Sequence, residues 1–203
     1  MKPAHELVDE IVNGAVESEI SVSTLLRKCR IVSESYQNDE LTEWVQKELN
    51  GYDDRENLPS YREISAGAKG FMLGAFGSHI DAQPLASAVM EEEHRHFAEK
   101  VFLCDPVSSY ENLKEDGDGG YRVEWSANLV VKYQSSFING YALNRAWQDV
   151  PVHAMRAVAE TVRNRVLEFA LSMRREFGPS LDASNEKVNA HISSVVQSIL
   201  QAE

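Results

Sequence analysis

From position 152 onward the chain sets Val152, Met155, Ala159, Val162, Val166, Phe169, Met173 and Phe177 at steps of three and four residues. That spacing lines the apolar side chains along one stripe of an α-helix, which turns once in about 3.6 residues. Pro151 suits the first turn of such a helix, and Gly178-Pro179 stops it. A seam this long is stable only when other elements cover it. Whatever else the chain builds, it must supply a helical layer for residues 151–178.

Three shorter helical patterns occupy the N-terminus. Residues 4–17 carry Leu7, Val8, Ile11, Val12, Ala15 and Val16 on one stripe. Residues 22–36 repeat this with Val22, Leu25, Leu26, Cys29, Val32 and Tyr36. A third helix opens at Asn38-Asp39, with Glu40 and Glu43 in its first turn where acids complement the helix dipole. It directs Leu41, Trp44, Val45 and Leu49 inward and stops at Asn50-Gly51, the glycine supplying a left-handed position. Tyr52 then hands the chain to a polar connector. Such short amphipathic helices bury their stripes only against one another, which predicts an N-terminal three-helix bundle over 1–52.

The texture changes from 53 to 150. Gly67, Gly70, Gly74 and Gly77 surround Phe71, Met72, Leu73 and Phe76, a density that disfavours helix and suggests bent strands. Val101-Phe102-Leu103-Cys104 reads as a short strand, followed by a short helix from Asp105-Pro106 to Leu113. Tyr121, Val123 and Trp125 alternate as in a half-buried strand, as do Tyr141, Leu143, Arg145 and Trp147. The expected fold is α+β and predominantly helical, with a small mixed or antiparallel sheet and short helices between the bundle and the long helix. One domain spans 1–178, and Val188, Ile192, Val195, Val196 and Ile199 form a final amphipathic helix in an appendage over 179–203.

The bulk numbers exclude more than they select. A chain of 203 residues, 43% apolar and 26% charged, is an ordinary globular protein able to bury a core. Its net charge of −12 argues against nucleic acid or an anionic membrane as a partner, because there is no basic surplus to neutralise phosphates. No apolar run reaches the roughly 20 residues of a membrane-spanning helix, and the N-terminus has no apolar signal region. Cys29 and Cys104 are far apart and fit core thiols better than a redox or zinc pair. These features predict a cytoplasmic protein without a cofactor.

Constellations with catalytic or ligand-binding potential are few. Glu92 and His96 in Glu91-Glu92-Glu93-His94-Arg95-His96 would share a helical face, but a metal site needs further converging ligands, so no metal is expected. Asp116-Gly117-Asp118-Gly119-Gly120 fails as a calcium loop, because Ala127 stands where the last carboxylate belongs, and reads as a turn. The glycine segment lacks both phosphate-cradling motifs. Asp53, Asp54 and Glu56 read as a solvated loop rather than a nuclease cluster, and no catalytic residue declares itself. On the long helix Arg156, Arg163 and Arg174 project within roughly 40° of one another. In an acidic chain their default role is pairing with internal acids, with a subunit interface or an anionic ligand as alternatives.

Five words in order resemble the AbiTii family, bacterial domains associated with abortive infection. They are Val22-Ser23-Thr24-Leu25-Leu26-Arg27-Lys28, Glu43-Trp44-Val45 with Glu48-Leu49-Asn50-Gly51-Tyr52, Leu58-Pro59-Ser60-Tyr61-Arg62, Phe76-Gly77-Ser78-His79-Ile80 with Gln83-Pro84-Leu85, and Val162-Arg163-Asn164-Arg165-Val166-Leu167-Glu168-Phe169-Ala170-Leu171. They span about residues 6–175. The sequence departs from the family pattern at Ala86-Ser87-Ala88-Val89-Met90, and the tail from Leu181 has no counterpart in that pattern, so the resemblance implies no role for it. The resemblance implies a phage-defence setting and supplies no catalytic set. The ligand or interface candidates are Asn50, Tyr52, Arg62, Arg156, Arg163, Asn164, Arg165 and Arg174. The expected role is a protein-interaction and oligomerisation module whose partner is a second copy, another defence protein or a phage protein. The alternatives are a toxic effector enzyme (a nuclease or nucleotide-directed) and a sensor of a phage component.

Overall fold

The computed structural model describes residues 2–55, 58–113, 120–178 and 184–201. In chain order its elements are α1 (Ala4–Ala15), α2 (Val22–Tyr36), α3 (Asp39–Asn50), β1 (Glu63–Ser65), β2 (Ala68–Gly74), β3 (His79–Pro84), α4 (His96–Glu99), β4 (Lys100–Phe102), α5 (Ser108–Glu111), β5 (Gly120–Glu124), α6 (Ala127–Lys132), β6 (Tyr141–Pro151), α7 (Val152–Phe177) and α8 (Asn185–Gln201). The fold is the expected predominantly helical α+β, with α1–α3 as the N-terminal three-helix bundle. The glycine-rich Asp116–Gly119 segment, Glu56 and the 179–183 link lie outside the described residues.

Two compact units emerge. The first takes Met1–Arg62, Cys104–Leu113 and Arg156–Glu203; the second takes Glu63–Leu103 and Lys114–Met155. In the first unit the helix boundaries follow local chemistry. Ser21 caps α2 by accepting from the Thr24 amide, and the Glu111 carboxylate accepts from the Val22 amide at the same end, where the helix dipole favours an anion. Asn38 caps α3 by accepting from the Leu41 amide at 2.8 Å. Gly51 follows α3 at φ 96, and a Cβ there would stand 2.8 Å from the Cys104 carbonyl oxygen, so both backbone and space require glycine.

The seam of α7 is buried as its spacing predicts, with Val162, Val166, Phe169 and Met173 excluded from solvent. Helix α7 begins one residue later than expected, because Pro151 is the last residue of β6, paired with Gly120, and the strand runs into the helix without a loop. Helix α5 is likewise shorter than the expected Asp105–Leu113 helix. Helix α8 buries Val188, Ile192, Val196 and Ile199 and packs on α2 and α3. Its Asn189 side-chain amide donates to the Tyr36 and Gln37 carbonyls at 3.0 and 3.2 Å, satisfying acceptors that the end of α2 leaves open. Asn189 also accepts from buried Asn38 at 2.7 Å, so one residue of α8 fastens the α2–α3 corner. Cys29 is a core thiol pushed up to about 12 by burial.

The second unit holds an antiparallel sheet of order β3-β2-β6-β5 and a two-stranded pair β1-β4. Gln148, 3% exposed, joins them by donating to the Ala66 and Lys100 carbonyls. The core gathers Met72, Leu85, Trp125, Leu129, Tyr133 and Leu143. A Cβ on Gly70 would come within 2.5 Å of Leu143, so this glycine marks a close approach.

Two expected alternations are corrected. The β2–β6 register shifts between Phe71 and Met72, which skips Asn144 and changes the inward parity of β6. Leu143 and Ala146 therefore both enter the core, while Arg145 is exposed and paired with Glu124. Strand β5 forms where predicted, but all five residues are exposed and only Trp125, just beyond it, is buried.

Replacing Asn189 with alanine leaves the Tyr36 and Gln37 carbonyls and Asn38 short of partners. The expected cost is about 1–3 kcal/mol, read as a lower denaturant midpoint with unchanged circular dichroism.

Candidate functional site

Of the candidate residues, Tyr52 and Arg62 converge on a side chain outside that set, Glu48. Glu48 lies three residues past Val45 and four past Trp44, on the buried stripe of α3, and both it and Arg62 are fully buried. Pro59 accepts from the Arg62 amide in a 3-10 turn over Ser60–Arg62, which turns the Arg62 side chain back towards α3. The guanidinium donates to both carboxylate oxygens, from Nη2 to Oε2 at 2.6 Å and from Nε to Oε1 at 3.2 Å. Nη1 donates to the Asp105 carbonyl at 2.8 Å.

The Tyr52 and Tyr61 hydroxyls both donate to Glu48 Oε1, at 2.7 and 2.6 Å, and Trp44 Nε1 donates to the Tyr61 hydroxyl at 3.1 Å. The Tyr52 ring also carries the Arg62 cation at 4.8 Å, and the Tyr61 ring carries the Arg165 guanidinium at 4.3 Å. This network lies within the first unit and fastens three stretches: α3, the 3-10 turn and the segment beginning at Cys104. Two further main-chain bonds reinforce it, from the Tyr52 amide to Cys104 at 2.8 Å and from the Val107 amide to Glu48 at 2.9 Å.

Its electrostatics are those of a closed ion pair. Burial alone would depress Arg62, but the charge and hydrogen bonds of Glu48 reverse this and hold it above its ordinary value. Burial, followed by the Glu48 charge, pushes the Tyr52 and Tyr61 phenols up, and burial raises Tyr110 to about 12. A bidentate carboxylate with two phenol donors and a guanidinium aligned on it favours retention of every proton in place. It is built for rigidity.

Arg165, stacked on Tyr61, borders this cluster, and the remaining candidates lie apart from it. Asn50 and Asn164 are exposed on α3 and α7. Arg156 donates to the Leu113 carbonyl at 2.7 Å, and Arg163 donates to Ile20 and Glu17 at 2.8 and 3.3 Å, holding the α1–α2 link. Arg174 pairs with Asp9 at 3.5 Å. Among the described residues, Arg174 alone of the three flank arginines has an acid as its closest partner; the other two donate mainly to main-chain carbonyls.

Within the second unit, ligand atoms of Glu91, Glu93 and His94 lie within 4.8 Å of one another. The expected Glu92–His96 helical face does not form, because the 3-10 turn Glu92–His94 precedes α4 instead of continuing it. Lys132 bonds Glu91 at 2.5 Å and stands 3.9 Å from Glu93, so an ammonium already serves these carboxylates.

Two concavities border the helices of the first unit. A pocket of about 190 Å³ between α3 and α8 is walled by Trp44, Tyr52, Pro59, Val196 and Leu200. Both aromatic side chains are pinned at their polar ends by the Glu48 network. A wider groove of about 780 Å³ between α7 and α8 includes Leu171, Arg175, His191 and Val195. Among the described residues, no helix is long and apolar enough to cross a membrane.

Comparison with known families gives one match. The AbiTii family model covers residues 6–197, and the chain belongs to that family. The matched span runs past the last matching word at Leu171 and takes in most of α8, so the tail from Leu181, expected to have no counterpart in the family, is largely covered by it. No curated protein and no solved structure matches the chain. Membership associates the protein with abortive infection and phage resistance.

Sequence reasoning missed Glu48 and Tyr61 as members of the cluster, although one signal was present. A glutamate on the same helical stripe as Leu41, Trp44 and Val45 requires a buried cation, and Arg62 is the arginine that answers it. Glu48→Ala takes the carboxylate away from that buried cation and from two phenol donors, with an expected loss of about 3–5 kcal/mol in equilibrium unfolding. Alkaline titration tests the phenols. The folded state keeps protons that the unfolded chain releases above about pH 10. Stability is therefore full below that pH and falls as pH rises, by about 1.4 kcal/mol per pH unit for each such phenol. For Tyr110 that fall spans about pH 10 to about 12.

Proposed function

We propose that the protein is a non-catalytic component of an abortive-infection system, acting as a protein-interaction and oligomerisation module. The observation that carries this reading is the fate of its polar candidates. Arg62 and Glu48 are sealed against each other at 0% exposure, Arg163 is spent on the α1–α2 link, and Asn50 lies exposed. An effector enzyme needs such groups gathered where a substrate can reach them. The surface does carry exposed apolar side chains: Leu171 is 43% exposed in the α7–α8 groove, and Tyr121 and Val123 are exposed on β5. Contact surface of this kind suits a second copy of the chain, another defence protein or a phage protein.

Light scattering from micromolar to millimolar protein tests oligomerisation, and a mass fixed at the 22.8 kDa of one chain throughout would overturn it. In cells, alanine at Asn50, Asn164, Arg156 or Arg174 is expected to leave phage protection intact, whereas Leu171→Glu weakens it. Loss of protection from one of those alanine variants, with its melting temperature unchanged, would support a nuclease or nucleotide-directed effector instead.

A further inference from the structure

We propose that the outer edge of β5 pairs antiparallel with the same strand of a second copy, about a two-fold axis through Val123. This rests on the interaction-module reading and gives it a surface. Strand β5 is terminal in the sheet order, and among the described residues no strand lies beyond it. All its residues are exposed, Tyr121 at 49% and Val123 at 42%.

The two edges of the sheet are treated differently. Edge strand β3 is blunted: its register with β2 is irregular, Ala82 sits at φ 53, and it ends at Pro84. Strand β5 has no proline, no lysine and no bulge, and its register with β6 is unbroken from Gly120 to Glu124. It is the edge left able to pair.

The register follows from hydrogen-bond direction and charge. The Trp125 amide donates inward to the Ala146 carbonyl at 2.8 Å. Alternation then points the groups of Val123 and Tyr121 inward too, and those of Arg122 and Glu124 outward. An axis through Arg122 or Glu124 would set like charges opposite each other. An axis through Val123 sets Arg122 opposite Glu124 of the second copy, with both residues offering outward amides and carbonyls.

The same register extends an existing charge row. Within one copy Arg122 bonds Asp149 at 3.2 Å and Glu124 bonds Arg145 at 2.8 Å. Paired copies would line up Asp149, Arg122, Glu124 and Arg145 across four strands with signs alternating at every step. Val123 would meet its own copy on the axis, and Tyr121 would meet Trp125.

Oxidation of cysteine variants reads this geometry directly, with the parent protein, carrying Cys29 and Cys104, as background. On the axis the paired Cα atoms stand about 4.5 Å apart, within disulfide range. Two residues away, at Tyr121, they stand about 13 Å apart. Val123→Cys is expected to give a disulfide-linked dimer roughly tenfold above both the parent and Tyr121→Cys. Adding Glu124→Pro, which removes an outward amide and spares the β6 ladder, is expected to abolish that excess. Equal cross-linking at 121 and 123, or none above background at 123, overturns the proposal. Oligomers in light scattering without a Val123→Cys cross-link would sink this edge alone; a monomer throughout would sink the interaction reading with it.

Discussion

The first unit depends on one buried ion pair. Removing the Glu48 carboxylate and the Arg62 guanidinium from water costs several kcal/mol per ion unless every lone pair and proton finds a partner. That demand organises what surrounds them. The carboxylate draws the hydroxyls of Tyr52 and Tyr61, and the guanidinium draws the Asp105 carbonyl. Tyr61 in turn holds the Trp44 indole and lies beneath Arg165. Residues separated by more than a hundred positions are thereby set with reference to a single charge.

The same economy shapes the functional reading. An active site keeps reactive groups solvated, strained or poised between protonation states. Here the clustered aromatic and charged residues are locked in place, and their phenols are driven away from neutral pH. What is left at the surface is of another kind: a groove along α7 and α8 in which Leu171 and Val195 stand among polar side chains, and β5, beyond which no strand lies among the described residues. Surfaces left in that condition are suited to contact more than to conversion of a substrate.

Some of this was legible in the sequence and some was not. Helices α1–α3 and α7 follow from periodicity because a stripe of Leu25, Leu26 and Cys29, or of Val162, Val166 and Phe169, has no other low-energy place than a core. Strand β5 also followed from alternation, but its burial did not, since alternation states which side chains share a face and not whether anything covers that face. The parity change at Asn144 depends on how β2 and β6 align, which is a pairwise property absent from either strand alone. In the site, Tyr52 and Arg62 were visible because each closes one of the words that resemble the family. Glu48 was hidden by its type, because a glutamate in a helix is ordinarily read as solvated.

Helix α8 has a consequence for how the protein is made. Its Asn189 completes the end of α2 and the corner of α3, about 150 positions upstream, and its apolar residues belong to the same unit as the first helices. Contacts of such sequence separation form late, and synthesis delivers α8 after the other helices of this unit. A nascent chain interrupted before α8 therefore lacks the residue that closes the α2–α3 corner, together with the apolar face that packs on both helices. Emergence of α8, rather than of the N-terminal bundle, sets the moment at which this unit can close.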